Sequence, residues 1–185
     1  MYKIKATILV LISLFLFAAC GNSYKADRSY MTQENRNREE GLLNEAKTKL
    51  SSAKTDDEKQ NQLFEIAFRY QVLGDYDSAI NYYEQVLNLD PLNYQALNNI
   101  ADIYDEMDET VKALKYEQRL YEKYPTDKEV VGDIINLLVK NKQFDEANVL
   151  LETYAKSSVA KENLQFISDE HVFILGQQER EKTVK

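Results

Sequence analysis

Residues 60–93 read QNQLFEIAFRYQVLGDYDSAINYYEQVLNLDPLN. Within this stretch Leu63, Ile66, Ala67 and Tyr70 fall at i, i+3, i+4 and i+7, the spacing of one helical face. Gly74 follows, a residue that enters the left-handed region without a Cβ clash and so closes a helix. A second helix is expected from about Asp75, with Ala79, Tyr83, Val86 and Leu87 on its inner face. Ala79 is small where two antiparallel helices approach most closely. Pro91 then stops the unit just before a further helix.

The pattern recurs with a period of about 34 residues. Pro91 is followed by Pro125, Leu63 by Leu97 and Ala67 by Ala101. Three-membered columns are Tyr70, Tyr104 and Leu138; Ala79, Ala113 and Ala147; and Ile66, Ile100 and Ile134. Six columns in one register mean that the unit is repeated, not merely helical.

These columns resemble the tetratricopeptide repeat (TPR). The match is closest over 60–93, through Leu63, Ile66, Ala67, Tyr70, Gly74-Asp75-Tyr76, Ala79, Tyr83 and Pro91. Residues 94–127 match through Leu97, Ile100, Ala101, Tyr104, Ala113, Leu120 and Pro125, with Asp108 in place of the turn glycine. Residues 128–161 form a degenerate third unit carrying Val131, Ile134, Leu138, Phe144, Ala147, Leu151 and Tyr154. There Ile135 replaces the small residue and no Pro closes the unit. The resemblance implies an all-α solenoid of antiparallel helix pairs wound into a right-handed superhelix. It also implies capping helices at both ends, because one unit cannot bury its own face.

Composition agrees with a helical chain. Only 5 Gly and 2 Pro occur in 185 residues, too few for many hairpins. Tyr, present 13 times against no Trp, suits amphipathic packing between helices. Upstream, Leu42, Leu43, Ala46 and Leu50 form a stripe that predicts an N-terminal capping helix over 42–55. Thr55 with Glu58 is a capping box opening the repeat domain at 56–161, and Thr126 with Glu129 repeats that signature. Downstream, Leu164, Phe166, Ile167, Val172, Phe173 and Leu175 predict a covering helix within 162–185, its polar tail fraying from Gln177.

The first residues read as an address. Lys3 and Lys5 precede an apolar run from Ala6 to Ala19, too short for a comfortable spanning helix. Cys20, the only Cys, follows at once. Leu16-Phe17-Ala18-Ala19-Cys20 resembles a bacterial lipobox, with Phe17 where the family usually has Leu. An ordinary secretory leader with an incidental Cys, or an uncleaved anchor, is the alternative. The resemblance implies cleavage after residue 19, acylation of Cys20 and attachment to a membrane of the bacterial cell envelope. Gly21, rather than an acidic residue, points to the outer membrane in a diderm source. Residues 20–41 are polar and mixed in charge and are expected to be a flexible tether.

No enzyme chemistry is expected. The sequence has no glycine-rich phosphate loop and no paired His motif, and it implies no cofactor and no metal. His171, the single His, is expected to be structural. Carboxylate pairs such as Asp56-Asp57 and Asp169-Glu170 are expected on solvated faces. A formal charge of −8, from 31 acidic and 23 basic residues, argues against a nucleic-acid partner.

What remains is binding of protein. In the TPR family peptides lie in the concave groove, against the first helix of each pair. The corresponding positions here are Asn61, Phe64, Phe68 and Gln71 in the first unit. The second supplies Gln95, Asn98, Asn99, Asp102, Asp105 and Glu106, and the third Glu129, Gly132, Asp133, Asn136 and Lys140. Asn and Gln suit an extended peptide because each both donates and accepts. The subgroup that captures a terminal carboxylate needs basic residues where this chain has Phe64, Glu129 and Asp133; only Asn99 agrees. A partner with basic and apolar residues is therefore expected. The alternative is that Phe64 and Phe68 pack on the upstream cap and the acids only keep the surface soluble. The functional expectation is a lipid-anchored adaptor for an envelope machine such as a pilus, secretion or outer-membrane assembly. Its alternative is an accessory subunit positioning an envelope enzyme, such as a peptidoglycan hydrolase.

Overall fold

The computed structural model describes Ser29 and residues 31–183. The leader, Cys20 and the first part of the expected tether lie outside the described residues. Eight α-helices follow one another among the described residues, with no strand. They are α1 (Gln33–Ser52), α2 (Asp56–Leu73), α3 (Tyr76–Leu89), α4 (Tyr94–Glu106), α5 (Thr110–Lys123), α6 (Lys128–Lys140), α7 (Phe144–Ala155) and α8 (Leu164–Thr183). A short 3-10 helix, Ala160–Asn163, precedes α8. Each helix packs on the next, and α8 reaches back to α6 as well as α7. The pairs α2–α3, α4–α5 and α6–α7 are the three expected units.

The column residues make the core. Leu63, Ile66, Ala67, Ala79, Tyr83, Val86 and Leu87 are buried in the first unit, and Leu97, Ile100, Ala101, Ala113 and Leu120 in the second. Burial of one such large side chain contributes about 1.5–3 kcal/mol, so this shared layer holds the stack together. The tyrosine columns stack in register. The Tyr70 and Tyr82 rings lie 5.6 Å apart at 21°, and the Tyr104 and Tyr116 rings 5.7 Å apart at 25°. In the third unit Leu138 and Leu150 occupy those positions.

The turns repeat too. Gly74 has φ 80°, and the residues one and two periods on, Asp108 and Lys142, have φ 57° and 61°. The hairpin therefore imposes the left-handed conformation even where the sequence lacks glycine. Asp75 caps α3 by accepting from the Ser78 N–H at 3.3 Å. Its column partners Glu109 and Gln143 precede α5 and α7 without a side-chain cap.

Several expectations are corrected. The Thr55–Glu58 capping box forms in both directions, but at α6 the cap is Asp127, which accepts from the Glu129 N–H at 2.9 Å. Asp127 stands one period after Asn93, the cap of α4, so the repeat register prevails over the local Thr126 signature. Helix α1 begins at Gln33, capped by Thr32, well inside the segment expected to be tether. Glu39 explains the extension. It is buried, and its Oε2 meets Arg69 Nη1 of α2 at 2.7 Å, while Arg69 also pairs with Glu65. Arg69 is far from Glu39 along the chain, so no local pattern announces it.

At the other end α8 runs through the expected frayed tail to Thr183, held in part by Lys142 pairing with Glu181 at 2.7 Å. Its buried face is also different. Ile174 is fully buried and Phe166, Ile167 and Phe173 are half-buried, while Leu164, Val172 and Leu175 are exposed. Where α8 crosses α6 the helices meet at Gly132. A Cβ there would stand 3.3 Å from Phe166 Cε2, so the missing side chain makes room for the ring.

Candidate protein-binding groove

The first helices α2, α4 and α6 line one side of a groove of about 1200 Å3, and the start of α8 with the preceding 3-10 turn lines the rest. Phe64 and Phe68 come from α2, Gln95, Asn98, Asn99 and Asp102 from α4, and Glu129, Gly132, Asp133 and Asn136 from α6. These are sequence-predicted positions, and the fold brings them together. Their common side follows from helical periodicity, since 95, 98, 99 and 102 share one face of α4.

Other predicted residues stand elsewhere. Asn61 lies beside Leu42, Glu45 and Ala46 in the cleft between α1 and α2. Gln71 accepts a hydrogen bond from the Tyr83 hydroxyl at 2.9 Å, which ties the two helices of its own unit. Glu106 accepts from the hydroxyl of buried Tyr76. Asp105 pairs with Lys140 at 2.8 Å, and Lys140 also reaches Asp108 at 2.9 Å, so this ion pair joins α4 to α6. Gln71, Asp105, Glu106 and Lys140 therefore bond within the solenoid.

The two phenylalanines differ in what they offer the groove. Phe64 packs edge-on against Tyr83, ring centroids 5.3 Å apart, and is largely part of the core. Phe68 is 37% exposed, with the Arg69 guanidinium 5.0 Å from its ring centre. Phe68 is thus the apolar group α2 offers to the groove.

The groove is acidic. Seven lining residues are acidic (Glu65, Asp102, Glu129, Asp133, Glu162, Asp169 and Glu170), against the two bases Arg69 and Lys128. Arg69 is already held by Glu39 and Glu65, and Lys128 is exposed at the first position of α6. The carboxyls repel one another's ionisation. Burial, then Asp102, Glu129 and Asp127, push Asp133 up to about 6. Asp102 is open to solvent on one side yet walled by protein on the others. That enclosure, followed by Glu106 and Asp105, raises its carboxyl.

Behind this wall lies a further carboxyl, outside the positions expected to line the groove. Glu117 of α5 is 1% exposed and its Oε2 has no hydrogen-bond partner. Burial first, then Asp133 and Asp102, push its carboxyl up to about 8. The signal was present in the period: Tyr83 and Leu151 stand one repeat to either side, so a carboxyl occupies a core column. Asp169 and Glu170, expected on a solvated face, belong to the groove, and Glu170 Oε2 is also buried without a partner. Their placement depends on how α8 crosses α6, which the α8 sequence does not specify. His171, beside them, is exposed.

Residues 65–128 match the family model described as Tetratricopeptide repeat. This segment of the chain consists of tetratricopeptide repeats. The TPR match spans most of the first two units, which also carry the best-formed columns. A protein of Pyropia yezoensis described as "Uncharacterized protein ycf37" is 43% identical over 61 residues. That stretch is 33% of this chain and 32% of the relative, so the chain spans about a third of the curated relative it matches. Among solved structures, MamA 41-end from Desulfovibrio magneticus RS-1 superposes with a TM-score of 0.56 at 14% identity, covering 84% of this chain and 98% of that one. A crystal structure of MamA gives 0.55 at 16% identity, covering 83% and 99%. At such identity the likeness is one of fold. The helix-pair solenoid fold therefore extends beyond the matched repeats to the third pair and the covering helices. Among the described residues no group of His, Cys, Asp and Glu is arranged to hold a metal ion, and no helix is long and apolar enough to cross a membrane.

Proposed function

We propose that this chain is a lipid-anchored adaptor of the bacterial cell envelope, holding a segment of a partner protein in its concave groove. The observation that carries the adaptor reading is the groove itself. It draws amide side chains, Gln95, Asn98, Asn99 and Asn136, to one surface with the exposed ring of Phe68. Among the described residues none of these four amides forms a bond to another helix, whereas Gln71 and Asp105 do. Such side chains suit the backbone of an extended peptide. The anchor rests on the lipobox-like Leu16-Phe17-Ala18-Ala19-Cys20 and its apolar leader. Two or more acyl chains at Cys20 would hold the protein firmly, since a single chain binds a membrane only marginally.

Two measurements test the two halves. Cys20→Ala should move the protein out of the membrane fraction and abolish the lipid increment in its mature mass; unchanged partitioning refutes the anchor. A partner co-purified from solubilised membranes should be lost with a combined Asn98→Ala and Asn99→Ala variant. Retention of that partner would refute the groove as its seat.

A further inference from the structure

Glu117, buried on α5 behind the groove wall, is explained by neither solenoid packing nor solubility. Its column is a packing column, filled by Tyr83 in the first unit and Leu151 in the third, both buried. A carboxyl there gives up the apolar contacts those residues make. Its Oε2 gains no hydrogen bond in return. A buried polar atom without a partner forfeits its hydrogen bonds to water, so the chain carries a standing cost at this position. The neighbours compound it. Acting on Glu117 are Asp102 and Tyr94 from α4 and Asp133 from α6, none of them a cation. Among the described residues no Lys or Arg pairs with Glu117, Asp102 or Asp133. Three helices thus bring three carboxyls to one place, and among the described side chains their one polar tie is Asn98 Nδ2 donating to Asp102 at 3.1 Å. Elsewhere this solenoid does pair its acids: Glu39 with Arg69, and Asp105 with Lys140.

The geometry points to a seat for an arginine side chain of the partner, formed by Asp102 and Asp133 on the groove wall with Glu117 behind them. This rests on the groove being the peptide site and names what that site selects. A guanidinium fits better than an ammonium, because it presents five N–H donors in a rigid fork and can address carboxylates on more than one helix. Its weaker hydration also lowers the cost of entering a walled site. Phe68, with Phe166 across the groove, offers apolar surface to the residues flanking the arginine. The local excess of acids, seven against two, repels an acidic segment from the same groove.

The arrangement has a thermodynamic signature. Before binding, Glu117 keeps its proton at neutral pH because burial and its acidic neighbours oppose the charge. An arriving cation reverses that balance, so Glu117 ionises and its proton passes to solvent. Binding then releases protons and strengthens as pH rises.

The test uses the full chain in detergent micelles and a labelled octapeptide of alternating arginine and alanine, with a citrulline version as the uncharged isostere. Anisotropy should show the arginine peptide binding at least about tenfold more tightly than the citrulline one. Asp133→Asn, on the open groove wall, should weaken it by a similar factor. Titration calorimetry in two buffers of different ionisation heat should show proton release near pH 7, and Glu117→Gln should abolish it. Equal binding of the two peptides overturns the arginine seat. So does full proton release in Glu117→Gln. If both peptides bind equally but lose affinity in the Asn98→Ala, Asn99→Ala variant, the groove stands and only the seat falls. If neither peptide binds and the native partner is indifferent to groove substitutions, both readings fall.

Discussion

Replacing Glu117 by Gln removes one titration while changing the shape of the side chain very little. In the folded chain the Glu117 carboxyl holds its proton to about pH 8, against an ordinary value of 4.5. Unfolding returns it to water, where it ionises near the ordinary value. Between those limits the native state therefore binds the extra proton, and stability falls as pH rises. The contribution is fully present below about pH 4.5 and is lost by the time pH has risen through 8. At about 1.4 kcal/mol per pH unit, the loss is ~3 kcal/mol by pH 7 and ~5 kcal/mol by pH 8. Against a typical domain stability of about 5–15 kcal/mol that is a large fraction. Asp133, pushed up to about 6 from 3.8, acts with the same sign over the lower part of the range. Urea denaturation followed by far-ultraviolet circular dichroism at pH 5, 6.5 and 8 measures the effect. The wild type should weaken steadily from pH 5 to 8. Glu117→Gln should match it within about 1 kcal/mol at pH 5, then weaken little above pH 6.5 and overtake it at pH 8. Parallel pH dependences for the two proteins would refute the buried, unpaired carboxyl.

Other consequences are as direct. Arg69→Ala leaves buried Glu39 with only the exposed Arg38 for a partner and should cost about 2–4 kcal/mol; hydrogen exchange should show the loss concentrated in α1. Glu39 is held below its ordinary range chiefly by its hydrogen bond to Arg69, opposed by burial, so the stability it contributes is present above the ordinary carboxylate value and lost as pH falls through the depressed one. Gln143→Asp should restore at α7 the cap that Asp75 provides at α3 and raise stability by about 1 kcal/mol in urea titrations, because both sites share the same backbone conformation. Lys142→Gly should relieve a left-handed residue at φ 61° and gain about 1 kcal/mol, less a few tenths for its exposed pair with Glu181. Asp102→Lys with Asp133→Lys should weaken capture of the native partner at least about tenfold while leaving circular dichroism unchanged; equal capture would remove charge from the binding account.

What the sequence carried by itself was the part of the fold that repeats. Leu63, Ile66, Ala67 and Tyr70 identify a helix face at i, i+3, i+4 and i+7, and the regular recurrence of the columns identifies the unit. Those signals are local, and a solenoid's contacts are mostly between neighbours, so local pattern and tertiary contact agree through 60–154. Gly74 marked the turn, and the same reasoning would have placed Asp108 and Lys142 in the left-handed region once the period was trusted over residue preference. The groove face of α4 was legible for the same reason.

The repeat leaves the two ends of the solenoid undecided. The polar segment before Leu42 becomes the first turns of α1 because Arg69, far along the chain, meets Glu39 there. Helix α8 turns Ile174 inward and Leu164, Val172 and Leu175 outward because it docks across α6 at Gly132, and a crossing angle is set by both surfaces together. The character of Glu117 follows the same rule. Its identity and its column are written in the sequence, but its desolvation and its company with Asp102 and Asp133 arise only when α4, α5 and α6 pack. Periodicity determines which face a residue occupies; burial and charge depend on what the fold places opposite.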